Sequence, residues 1–195
     1  MADNADNGAT IQGIPVAKVQ LLIDRMEIRD VLGRYTRGID RHDVEILKTV
    51  FWPDAQINYT SSFSGPTDDF IVWGNGVHER SFVIHEHHIT NQNVDIDGDV
   101  AHVESYVLYL LRRQDGQQDF GAGRYMDVLE RRNGEWRILQ REFIPEMRFE
   151  SPSTHDASTI PEWLRGRWDR DDVSFMRPLP RRPESEALRP EWMRT

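Results

Sequence analysis

Three turn signals at nearly regular intervals, Asp97-Gly98-Asp99, Asp115-Gly116-Gln117 and Asn133-Gly134, limit what the second half of this chain can fold into. They separate stretches 89–95, 100–112, 121–131 and 136–147, in which the apolar period is two, the period of a strand. Glycine supplies the positive φ that a tight hairpin needs, so three such signals in succession imply a continuous antiparallel meander. Gly121-Ala122-Gly123 reads as part of a strand packed close to something.

Upstream the period is helical. Val19, Leu22, Ile23, Met26, Ile28, Val31, Leu32 and Tyr35 recur at three- and four-residue steps, which predicts an amphipathic helix over 16–35, ended by Gly38. Asp40, with Asp43 behind it, reads as the N-cap of a second helix over 42–51, stopped by Pro53. Gly65-Pro66-Thr67-Asp68-Asp69 is a turn into a third helix, 68–77, that carries Phe70, Val72 and Trp73. Helices followed by a long curved antiparallel sheet give an α+β fold, a cone-shaped barrel in which the sheet wraps the N-terminal helices and leaves a pocket at its mouth.

A chain of 195 residues, 38% of them apolar, suits one domain. Residues 1–14 read as a flexible leader, 15–150 as the cone, and 151–195 as an extension holding six of the ten prolines. Trp163, Trp168 and Trp192 among its arginines suggest an arm lying over a surface of this subunit or a neighbour. The formal charge of −9 argues against a nucleic-acid partner, and the absence of cysteine excludes disulfides and thiolate chemistry. With no long apolar run and a polar, acidic start, the expectation is a soluble cytoplasmic protein without membrane contact.

Two short segments carry the chemistry: Arg37-Gly38-Ile39-Asp40 and His85-Glu86-His87-His88-Ile89-Thr90-Asn91. Histidine exchanges protons near neutrality, and a carboxylate on its second nitrogen fixes the tautomer; His87 and Asp40 could supply that pair. For each residue alone, a cap for Asp40 and a satisfied polar strand residue for His87 are the commoner roles. His85 and His87 alternate onto one face, so a metal with Glu86 or His102 as third ligand is a secondary reading; the main expectation is no metal and no cofactor. Arg141, between Leu139 and Phe143, needs an anionic or carbonyl partner, either substrate or an acid such as Glu142 or Glu146. Tyr35 either reaches the same pocket or packs in the core. Neither a phosphate-binding Lys-Ser/Thr loop nor a Gly-x-Ser-x-Gly elbow is present.

The ordered segments Tyr35 to Asp43, Phe51-Trp52-Pro53-Asp54-Ala55, His87 to Asn91 and Glu130 to Trp136 resemble the SnoaL-like branch of the nuclear transport factor 2 superfamily over about residues 15–148. Enzymes of this type include scytalone dehydratase, hexachlorocyclohexane dehydrochlorinase and bile-acid 7α-dehydratase. The resemblance implies a catalytic dyad at Asp40 and His87, a functional arginine at Arg141, and a tyrosine at Tyr35 where the dehydrochlorinase has lysine, favouring loss of water over chloride. An additional acid of the bile-acid enzyme has no counterpart, the nearest inward candidates being Tyr106 and Tyr109. A dehydratase acting on a hydrophobic ring-containing alcohol, steroid- or polyketide-like, is therefore expected, with Phe63, Phe70, Trp73, Phe82, Tyr106 and Phe143 as wall residues. The alternatives are a double-bond isomerase, a dehydrochlorinase, or a non-catalytic ligand-binding or β-subunit-like module. The resemblance also implies oligomerisation through the outer sheet face, as a homotrimer or homodimer.

Overall fold

The structure, a computed structural model, describes residues 9–152 and 166–180. After a minimal hairpin, β1 (Thr10–Ile11) with β2 (Ile14–Pro15), helix α1 runs from Val16 to Asp40. Its apolar stripe buries Ile28, Val31, Leu32, Tyr35 and Ile39, the i, i+3, i+4 spacing of a helix with one face in the core. The helix passes through Gly38 instead of ending there. A Cβ at Gly38 would come within 2.8 Å of two Leu47 side-chain atoms, so the glycine serves a close approach and not a helix end. Leu47 is fully buried, and Gly38→Ala is expected to lower stability by roughly 1–3 kcal/mol through overpacking, measurable by urea denaturation.

Helix α2 is one turn, Val44–Lys48, capped by Asp43, whose carboxylate accepts the Ile46 N–H at 3.2 Å. Asp43, not Asp40, is therefore the cap. Strand β3 (Phe51–Tyr59) begins where the sequence pattern had the helix end, and pairs with β4 (Phe63–Pro66) before α3 (Thr67–Ser81). Pro53 breaks the alternation of β3, and the pairing with its neighbour shifts register between Phe51 and Gln56, which hides the strand from a period-two search. The meander follows: β5 (Phe82–Asp97), β6 (Val100–Arg113), β7 (Gln117–Arg132) and β8 (Glu135–Pro152). Asn133 and Gly134, at φ 54 and 81, form the two-residue connection between β7 and β8.

The six strands are ordered β4-β3-β8-β7-β6-β5, antiparallel except where β3 runs parallel to β8. This mixed, mainly antiparallel sheet wraps the helices as an α+β cone. On β6 the odd residues Ala101, Val103, Ser105 and Val107 face inward and the even ones outward. At the narrow end, the buried carboxylate of Asp24 on α1 accepts from Arg131 Nη1 at 2.7 Å and Trp136 Nε1 at 3.0 Å, tying the first helix to the last hairpin. Residues 166–180 lie against the turn after α1: Arg170 bonds Asp43, and Arg37 donates to the Ser174 carbonyl. Trp163 and Trp192 lie outside the described residues. Among the described residues no helix is long and apolar enough to cross a membrane.

Candidate active site

Asp40 ends α1, and β5 carries His85 and His87 on the same face of the strand, so helix end and strand meet at the mouth of the cone. One carboxylate oxygen of Asp40 lies 2.7 Å from His87 Nδ1 and 3.1 Å from His85 Nδ1; the other accepts the His87 backbone N–H at 3.0 Å. Burial alone would raise the Asp40 carboxyl, but the hydrogen bonds from His85 and His87 outweigh it and hold the group well below the ordinary carboxylate range. An ionised carboxylate only accepts, so each imidazole presents Nδ1–H to it and leaves Nε2 unprotonated.

His87 borders a cavity of about 550 Å³. Phe70, Trp73, Phe82, Tyr109 and Phe143 form much of its wall, with Tyr35, Tyr59 and Tyr125 from the core side. The Tyr35 and Tyr59 hydroxyls are 2.7 Å apart. Burial pushes the Tyr59 and Tyr125 phenols well above their usual range, so both remain O–H donors at neutral pH. The glycines of β7 make room for the wall: a Cβ on Gly121 would collide with the Tyr109 ring, and one on Gly123 would meet the Ile144 carbonyl at 2.5 Å.

Of the residues singled out in the sequence, Asp40, His87 and Tyr35 come together, and Phe70, Trp73, Phe82 and Phe143 line the cavity they face. Phe63 lies behind, its ring stacked on Trp73 at 5.1 Å. Tyr106 is 39% exposed on the outer face, because its even position on β6 points away; Tyr109 takes the inward place. Glu86 faces solvent with His88, and His102 is exposed on β6, so neither joins His85 and His87.

Arg141 differs most from the expected role. It is fully buried and paired twice with Asp127, directly opposite on β7, at 2.7 and 2.8 Å. Neither Glu142 nor Glu146 is its partner: Glu142 accepts from Asn58, and Glu146 from Arg124. The pairing of β7 with β8 shifts register between Val128 and Leu129, so Trp136 and Ile138 face inward before the shift and Arg141 after it, without Leu139 as a same-face neighbour. Its guanidinium lies 4.0 Å from the Tyr35 ring centre and 4.1 Å from that of Tyr125. A substrate carbonyl therefore has no direct access to it, and its contact with the site runs through those rings.

Three more histidine contacts went unread. His42, in the turn after α1 at φ 51, places Nε2 at 3.1 Å from His85 Nε2. His78 on α3 stacks near His85, ring centres 3.9 Å apart. Trp168, from the C-terminal extension, lies parallel to His42 at 4.2 Å. The sequence carried little signal for these, because they are isolated residues on four separate segments.

The helix-filled cone of curved sheet, here with an acid–imidazole pair facing an aromatic cavity at its mouth, has the nuclear transport factor 2-like fold. Within it the chain belongs to the SnoaL-like domain family, whose model matches residues 20–142. Uncharacterized proteins of Mycobacterium bovis and Mycobacterium tuberculosis are 32% identical over 124 residues, 60% of this chain and 82% of theirs. Among solved structures, a hexachlorocyclohexane dehydrochlorinase of the second LinA type superposes with a TM-score of 0.68 at 21% identity, covering 75% of this chain and 99% of that one. A scytalone dehydratase candidate from Novosphingobium aromaticivorans gives 0.62 at 21% identity, over 71% and 99%. A superfamily protein from Salmonella enterica gives 0.57 at 19%, over 71% and 95%. At these identities the likeness establishes the fold.

Proposed function

We propose that this chain is a cofactor-independent lyase that eliminates water from a hydrophobic, ring-containing alcohol of steroid or polyketide type. The observation that carries the proposal is His87, with Nδ1 held by Asp40 and its ring on the wall of a 550 Å³ aromatic cavity. In that tautomer the Nε2 lone pair is free to take a proton from carbon. The electrons of the broken C–H bond form the new C=C bond, the C–O bond breaks, and the departing hydroxyl takes a proton from the Tyr35–Tyr59 pair to leave as water. The proton held on His87 then restores the phenol, so the net change is loss of one water. Asp40 stabilises the imidazolium in between. Arg141 acts by holding the Tyr35 ring from behind, without touching substrate. The size and apolar wall of the cavity suit a fused-ring or bicyclic substrate.

The test is turnover of a panel of hydroxylated steroid, terpene and aromatic-ketone compounds, followed by mass. Loss of the mass of water with wild-type protein is the expected result, and Asp40→Asn is expected to be slowed about 10²–10⁴-fold because it loses the ionised acceptor for His87. Rearrangement at constant mass would instead make the protein an isomerase, and turnover unchanged in Asp40→Asn would remove the dyad from the mechanism.

A further inference from the structure

Next to the dyad, His42, His78 and His85 come from the turn after α1, from α3 and from β5, and one ring nitrogen of each lies within 4.8 Å of the others. His78 also lines the aromatic cavity, whereas His42 and His85 are not among its lining residues. We propose that these three histidines bind one borderline divalent transition-metal ion, of which zinc best suits the ligand set, at a site beside the substrate cavity that shares only His78 with its wall.

The convergence of the ring nitrogens carries the inference. His85 gives its Nδ1–H to Asp40, so its Nε2 is a bare lone pair facing His42 Nε2 at 3.1 Å. The other nitrogen of His42 lies 3.5 Å from the largely exposed Glu79 carboxylate. A neutral imidazole has one N–H, and His42 faces two acceptors. A cation on the two Nε2 atoms would be held by both lone pairs and would leave the His42 N–H facing Glu79.

The geometry fits this. Tetrahedral zinc with bonds of 2.0–2.1 Å separates adjacent nitrogens by about 3.3–3.4 Å, close to the 3.1 Å found here. His78 Nδ1 is buried without any hydrogen-bond partner, an imidazole nitrogen that a coordinate bond would satisfy. Asp40 behind His85 and Glu79 behind His42 supply the outer carboxylates that orient metal-bound imidazoles. Trp168 covers the His42 ring and shields one side. Three imidazoles of this kind leave a fourth position for water.

The inference does not rest on the elimination reaction. Its test uses the full chain stripped with chelator and titrated with zinc, read by calorimetry and by thermal melting, with cobalt as a spectroscopic reporter of tetrahedral nitrogen coordination. One ion per chain is expected, with a midpoint raised by roughly 5–10 °C at 100-fold excess over Kd. Binding should be lost in His78→Ala and in His42→Gln, the second variant serving if the first folds poorly, and retained in the surface control His102→Ala. Absence of binding to wild type, or binding undiminished in both variants, would overturn the proposal. So would loss in His87→Ala with retention in His78→Ala, which would place the ion on Asp40, His85 and His87.

Discussion

Replacing His87 with alanine is expected to lower turnover by about 10²–10⁴-fold while the melting midpoint stays within a few degrees of wild type. The side chain sits at the cavity wall, partly exposed, and its removal leaves Asp40 with the His85 bond and the backbone N–H of residue 87. The carboxylate is thus not stranded, and the loss falls on the chemical step. Single-turnover measurement on a substrate identified from the panel, beside a melting curve, separates the two. Equal turnover in the variant would show that the lone pair at His87 is not the base.

The second large effect is on stability. Arg141→Ala leaves Asp127 ionised and fully buried with no partner, and an uncompensated buried charge costs about 3–5 kcal/mol. It also removes the cation between the Tyr35 and Tyr125 rings. Urea denaturation should show a fall of that size, and a paired change of Arg141→Met with Asp127→Leu should recover much of it, since both charges then leave the core together. A catalytic arginine would behave in the opposite way, with full stability and lost turnover. An Arg141→Ala variant as stable as wild type would contradict the assignment of the pair as a buried structural unit.

The meander and the first helix were legible in the sequence for local reasons, whereas the pairing of Asp40 with His87 was a candidate on residue chemistry and was implied only by the family resemblance. Period-two stretches flanked by Asp-Gly and Asn-Gly have few other solutions, and the first helix has an unbroken apolar stripe. What escaped depended on irregularities. Pro53 and a register shift concealed β3, and the first half of β5 carries His85, Glu86, His87 and His88 where an apolar alternation would have announced a strand. The register shift in β8 replaced the same-face neighbour assigned to Arg141 and set the arginine opposite Asp127, so its partner was across the sheet and not along the chain. The His42, His78 and His85 group could not be read from spacing, because nothing in a linear pattern fixes where a turn, a helix and a strand converge. Tyr59 was missed with the strand that carries it.

Asp24 has a bearing on how the protein comes into being. The acid that seats α1 in the cone finds its partners, Arg131 and the buried Trp136, 107 and 112 residues later, in the final hairpin. During synthesis the first helix therefore emerges with a carboxylate that has no place in an apolar interior until Arg131 and Trp136 have left the ribosome, and loop closure over that span is slow relative to helix formation. Burial of α1 is postponed until the last strands can receive it. Because Asp40 stands at the far end of the same helix, a partly made chain presents the acid without its histidines in register, and the Asp40–His87 contact is completed together with the whole cone.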